Sequence, residues 1–131
     1  MKLGQVLPAK EILKYLVSAK VRGLLTAVTS LRLARYWRTI GPELDAYETE
    51  RVRLVHELGE RDGDEVRVKP EDYAEFKRQT DPMLEEEIEL AIRPFDMLDF
   101  QKAGLSPEDI IVLEAAGLLT VDWDAIDAEE K

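Results

Sequence analysis

LARYWRTIGPELDAYETERVRLVHEL, residues 33–58, decides the fold. Leu33, Trp37, Ile40, Leu44, Tyr47, Arg51, Leu54 and Leu58 recur at spacings of 4, 3, 4, 3, 4, 3 and 4. These are the a and d positions of a heptad in which Arg51 is the single polar member, and they predict one long helix with a continuous packing seam. Gly41-Pro42 interrupts the run. In this register Pro42 falls at the outward f position, where the carbonyl it frees meets water, so a kink fits; a break with Pro42 opening a second helix also fits. Gly59 is the predicted stop. Burying each large apolar side chain contributes roughly 1.5–3 kcal/mol, so half of such a seam does not stay in water. The first helix, the C-terminal elements or a second copy must cover it, and self-association is the expected cover for the remainder.

Upstream, Pro8 opens a helix whose apolar face is Ile12, Leu13, Leu16 and Val17, with an expected end at Arg22-Gly23. Downstream, the Asp62-Gly63-Asp64 turn signal leads into Val66 and Val68, alternating with polar residues. Pro70-Glu71-Asp72 reads as a helix start, with Tyr73, Phe76 and Leu84 as its apolar positions and a possible restart at Asp81-Pro82. Ile88, Leu90 and Ile92 alternate with Glu87, Glu89 and Arg93, and pairing of 65–69 with 87–93 is the expected antiparallel β-element. Ser106-Pro107-Glu108-Asp109 caps a short helix that ends at Gly117. The fold class is therefore α+β and mainly helical. A helical hairpin (1–58) with a long kinked helix joins a mixed α/β subregion (60–121) in one domain, 1–121. Residues 122–131 form an acidic, flexible tail.

Charge is laid out unevenly. Residues 1–40 hold eight bases against one acid, a charge of +7; residues 41–131 hold ten bases against 27 acids, a charge of −17. Such a division suits internal pairing or two oppositely charged contact surfaces. The chain has no cysteine, which excludes disulfides, thiolate metal sites and thiol nucleophiles. No run approaches the length of a membrane span, and no signal-peptide pattern opens the chain, so neither membrane nor export is expected.

Lys20, Arg22, Arg32, Arg35 and Arg38 form a basic stripe. The three helical arginines sit at c, f and b, away from the seam, where they could follow a phosphate backbone or meet an acidic protein. The plainer reading is a solvated face that neutralises the acidic half of the chain or of a neighbouring subunit. The net charge of −10 argues against nucleic acid. Arg51 in the seam either specifies register or partner, or marks where the seam reaches the surface. Glu85-Glu86-Glu87-Glu89 lacks the further ligands of a metal shell and reads as a solvated face. Asp62-Gly63-Asp64 lacks the remaining ligands of a calcium loop. His56, at f, has no partner residues for nucleophilic or metal chemistry. No catalytic residue, cofactor or metal is expected.

Four stretches, LGQVLPAKEILKYLVSAK (3–20), ELDAYETERVRLVHELGE (43–60), VKPEDYAEFKRQTDPMLEEEIELAIRPF (68–95) and LSPEDIIVLEAAGLL (105–119), resemble in order and spacing a group of small, uncharacterised proteins of tailed bacteriophages and prophages. The resemblance implies a non-enzymatic accessory protein in the cytoplasm of a bacterial host or in the virion. It carries over no catalytic residue. The expected role is protein–protein contact in virion assembly or structure, as a homo-oligomer or with a phage structural or host protein. A small acidic inhibitor of a host protein is the alternative, and nucleic-acid binding through 32–38 the weaker one.

Overall fold

The structure, a computed structural model, describes residues 1–18 and 20–122. Its elements are α1 (Leu3–Val6), α2 (Lys10–Leu16), α3 (Ala27–Leu58), β1 (Gly59–Asp62), β2 (Glu65–Val68), α4 (Tyr73–Leu84), β3 (Phe95–Asp96), α5 (Pro107–Ala115) and β4 (Leu119–Thr120). The fold is α+β and mainly helical, with α3 as its spine.

Helix α3 starts at Thr26, whose hydroxyl accepts from the Thr29 N–H at 3.2 Å and satisfies one of the orphan donors of the first turn. It runs through Gly41-Pro42 without a break, with Pro42 exposed. Gly41 lets the Trp37 ring lie across the next turn: a Cβ there would sit 3.1 Å from the ring. The helix ends at Gly59, where a Cβ would collide with the Val55 carbonyl oxygen and the Val66 side chain.

The N-terminal arm departs from expectation at both ends. It is helical from Leu3, passes through a 3-10 turn at Leu7–Ala9 around Pro8, and stops at Leu16. The chain leaves the helix early because Val21 turns inward and is fully buried, while the Ser18 hydroxyl donates to the Tyr15 carbonyl at 2.6 Å. Gly23 does not adopt a left-handed conformation; among the described residues only Gly63, Gly104 and Gly117 do. Helix α2 runs antiparallel to α3, with Lys10 4.0 Å from Asp45 at one end and Leu16-Val17 beside Ser30 and Ala34 at the other.

The expected pairing of 65–69 with 87–93 does not form. Instead β1 and β2 make an antiparallel hairpin, Gly59 opposite Val68 and Asp62 opposite Glu65, closed over Gly63 at φ +65° and Asp64. A two-residue turn with positive φ closes at less entropic cost than a loop of some twenty residues, so local pairing wins. Residues 87–93 keep their alternation: Ile88 is buried and Leu90 and Ile92 half-buried, while Glu87, Glu89, Ala91 and Arg93 are exposed. Their backbone turns to the N-terminus. The Leu3 N–H donates to Glu86 O at 2.9 Å and the Ile88 N–H to Met1 O at 2.7 Å, on either side of a Lys2–Glu87 bridge. Helix α4 continues through Pro82 rather than restarting there. Strands β3 and β4 pair in parallel, Phe95 opposite Leu119.

Helix α5 follows its signals. Ser106 and Asp109 form a reciprocal capping box, and Gly117, at φ +79°, closes a Schellman motif in which the Leu118 N–H donates to Leu113 O. The core joins the N-terminal arm (Leu3, Val6, Leu13, Leu16), α3 (Leu33, Tyr36, Ile40, Leu44, Tyr47) and the C-terminal segment (Ile88, Phe95, Phe100, Leu113, Leu118). Among the described residues, no helix is long and apolar enough to cross a membrane. Most of the expected acidic tail, from Trp123 on, lies outside the described residues.

Candidate interaction surface

The seam is filled within one chain. Leu33, Ile40, Leu44, Tyr47 and Leu54 are buried, and Trp37, Arg51 and Leu58 are half-buried. The arm and the C-terminal segment cover the first part, and β2 lies against the last part. Covering the seam therefore takes no second copy, and any self-association must use another surface.

Arg51 marks where the seam meets water. It makes two hydrogen bonds to Glu48, at 2.7 and 3.0 Å, with both side chains about 40% exposed at 38% and 42%. The guanidinium holds the Glu48 carboxyl below the usual carboxylate range. Beside it, burial pushes the Tyr47 phenol up.

The basic stripe divides. Arg32 is half-buried: its Nη2 donates to the Arg93 carbonyl at 2.6 Å, and the guanidinium lies 4.2 Å from the Phe95 ring centroid. The Tyr36 hydroxyl shares that carbonyl and accepts from the Arg93 N–H, both at 3.1 Å, so Arg32 and Tyr36 together clamp the C-terminal segment onto α3. Lys20, Arg35 and Arg38 are exposed and make no ion pair with a described residue; the Arg22 side chain is not among the described ones.

Large apolar side chains outside the seam are also exposed. Leu24 is 45%, Val28 67%, Leu31 51% and Leu98 72% exposed. Val28, Leu31, Arg35 and Arg38, spaced 3, 4 and 3, share one face of α3. The signal was present in the heptad, which places Val28 at f and Leu31 at b, outward positions that a solvated helix fills with polar residues. Nothing local marks Leu98, which reaches the same end only because the 3-10 turn Met97–Phe100 folds back there.

Leu98 stands between two grooves. One, of about 340 Å³, runs past Leu24, Leu25, Thr26, Asp99 and Lys102. The other, of about 300 Å³, is lined by Met97, Phe100, Leu105, Ile110 and Leu119.

Elsewhere the charges are spent on each other. The Met1 amine meets Glu87 at 2.9 Å, Lys2 meets Glu85 at 2.6 Å, Arg53 bridges Glu50 and Glu57, and Arg78 holds Glu75. The hydrogen bond from Arg78, with a second from Gln79, brings the Glu75 carboxyl down to about 2. The acidic run at 85–89 is thus tied to the N-terminus, and Gly63 forms the hairpin turn. His56 is exposed. No family model, curated protein or solved structure matches the chain.

Proposed function

We propose that this is a non-enzymatic phage or prophage accessory protein that acts through protein–protein contact, in assembly or structure of the virion. One observation carries the contact part of the reading. Leu24, Val28, Leu31 and Leu98 are exposed, Val28 and Leu31 share a face of α3 with Arg35 and Arg38, and those two arginines make no ion pair with a described residue. Exposed apolar groups scattered singly need no explanation, but a cluster rimmed by unpaired charge marks a contact site. The phage setting rests on the resemblance of residues 3–20, 43–60, 68–95 and 105–119.

Mass spectrometry of purified particles from a producing strain tests the reading. The protein is expected in the particle fraction, in constant ratio to the structural proteins through a density gradient. Absence from particles, with capture of one host protein at defined stoichiometry, would replace it with the inhibitor reading.

A further inference from the structure

We infer that the outward stripe of α3 is an interface with a second copy of this chain, the two α3 helices lying antiparallel about a two-fold axis at Pro42. The inference rests on the protein-contact reading and supplies the partner for it.

The face that carries Val28, Leu31, Arg35 and Arg38 does not end there. Continued at spacings of 4, 3, 4, 3 and 4, it passes through Pro42, Asp45, Thr49, Val52 and His56. Because α3 is one uninterrupted helix, these positions stay on one side of it along its length. All nine are exposed. Neighbouring elements occupy the flanks and leave the stripe open: α2 lies by Ser30 and Ala34 on one side, and Arg32 and Tyr36 hold the C-terminal segment on the other. Three large apolar side chains of α3 are exposed, Val28 at 67%, Leu31 at 51% and Val52 at 39%, and all three fall on this stripe.

The stripe is symmetric in kind about Pro42. Leu31 stands 11 residues before it and Val52 10 after; Arg38 stands 4 before and Asp45 3 after. A second α3 turned end for end therefore sets Leu31 of each copy by the partner's Val52 and Arg38 by the partner's Asp45, and the contact closes as a dimer. Arg38 makes no ion pair with a described residue. The Asp45 side chain is 77% exposed and has Lys10 no closer than 4.0 Å, so its carboxylate is open to a nearer cation. Formal charge follows the same symmetry: residues 27–42 hold three arginines and no acid, whereas residues 43–58 hold five acids and two arginines, +3 against −3. A parallel pair would set like charges together. Nucleic acid or an anionic membrane would match Arg35 and Arg38 but meet Asp45 and the acidic half of the helix along the same line.

The chain has no cysteine, so single introduced cysteines report the register of the pair. Under a mild oxidant, Pro42→Cys should form a disulfide-linked dimer, since the axis brings that position against its own copy. Val28→Cys should not, because its two copies lie about 40 Å apart in the antiparallel pair, far beyond the reach of a disulfide. A mixture of Val28→Cys with His56→Cys should link. Light scattering behind a sizing column should give a dimer that loosens as salt rises. Leu31→Glu should yield a monomer with an unchanged circular dichroism spectrum. Arg38→Glu should weaken the dimer about tenfold or more in Kd, and adding Asp45→Arg to the same chain should restore it. A wild-type monomer at every concentration overturns the inference, as does a dimer that Leu31→Glu leaves intact or in which Val28→Cys links to itself as readily as Pro42→Cys. A monomer that still cofractionates with particles overturns only the dimer. A dimer of the expected register that is absent from particles supports the interface and removes the virion reading.

Discussion

Among the arginines of α3, sequence spacing alone does not separate Arg32 from Arg35 and Arg38; the carbonyl of Arg93 does. A charged donor on a backbone acceptor, reinforced by the Phe95 ring, contributes about 1.5–3 kcal/mol, whereas an exposed arginine without a partner contributes almost nothing. Arg32→Ala is therefore expected to lower the urea-unfolding free energy by about 2 kcal/mol. Arg35→Ala and Arg38→Ala should stay within about 0.5 kcal/mol. Equal losses at all three would contradict the division of the stripe. Glu75 offers a second check, by titration. Its folded carboxyl titrates below its unfolded value, so whatever the Arg78 pair contributes is fully present above about pH 4.5 and disappears as the pH falls toward 2. Carboxyl carbon shifts followed by NMR should show a midpoint near 2 for Glu75, moving back up toward the ordinary range in Arg78→Ala.

The elements formed where short-range signals agreed and shifted where they did not. Ser106, Asp109 and Gly117 each satisfy backbone groups of α5 through neighbours a few residues away, and that helix appears where its sequence puts it. Ser106→Ala should cost about 1 kcal/mol in a denaturation experiment, as for other lost caps. Pro42 is the opposite case, a residue that α3 tolerates without needing. Proline inside a helix is about 3 kcal/mol worse than alanine, and it recovers only about 0.4–1 kcal/mol by restricting the unfolded chain. Pro42→Ala should therefore stabilise the protein by about 2 kcal/mol. No gain in thermal melting would mean that the backbone conformation Pro42 imposes is itself required for packing. The β-element shows how element type and element partner separate. Alternation marked 65–68 and 87–93 as extended, but the hairpin and the N-terminus took them as separate partners.

At the scale of the whole molecule, α3 is a spine whose buried side is shared between the N-terminal arm and the C-terminal segment. Leu44 is fully buried between them, so Leu44→Ala should cost about 2–5 kcal/mol, the range for a large-to-small change in a core. Leu98→Glu should leave the melting temperature unchanged, since its side chain is mostly in water. The charge asymmetry is partly absorbed inside the fold by the contacts Met1–Glu87, Lys2–Glu85 and Lys10–Asp45, which bring the basic front to the acidic back. The carboxylate of each pair is largely exposed, so the pairs are individually weak and orient the arm more than they hold it.

The helical character, the long seam, the caps of α5 and the inward alternation at 88, 90 and 92 were determined by the sequence itself. Each follows from spacing or capping chemistry acting over a few residues, which any extended reading of the chain contains. Three things were decided only by tertiary structure: what covers the seam, which segment pairs with β2, and which arginine of α3 the fold takes up. They depend on groups far apart in the chain, such as Arg32 and the carbonyl 61 residues beyond it. Local periodicity says which way a side chain faces, but what it meets there is set by where the rest of the chain is folded.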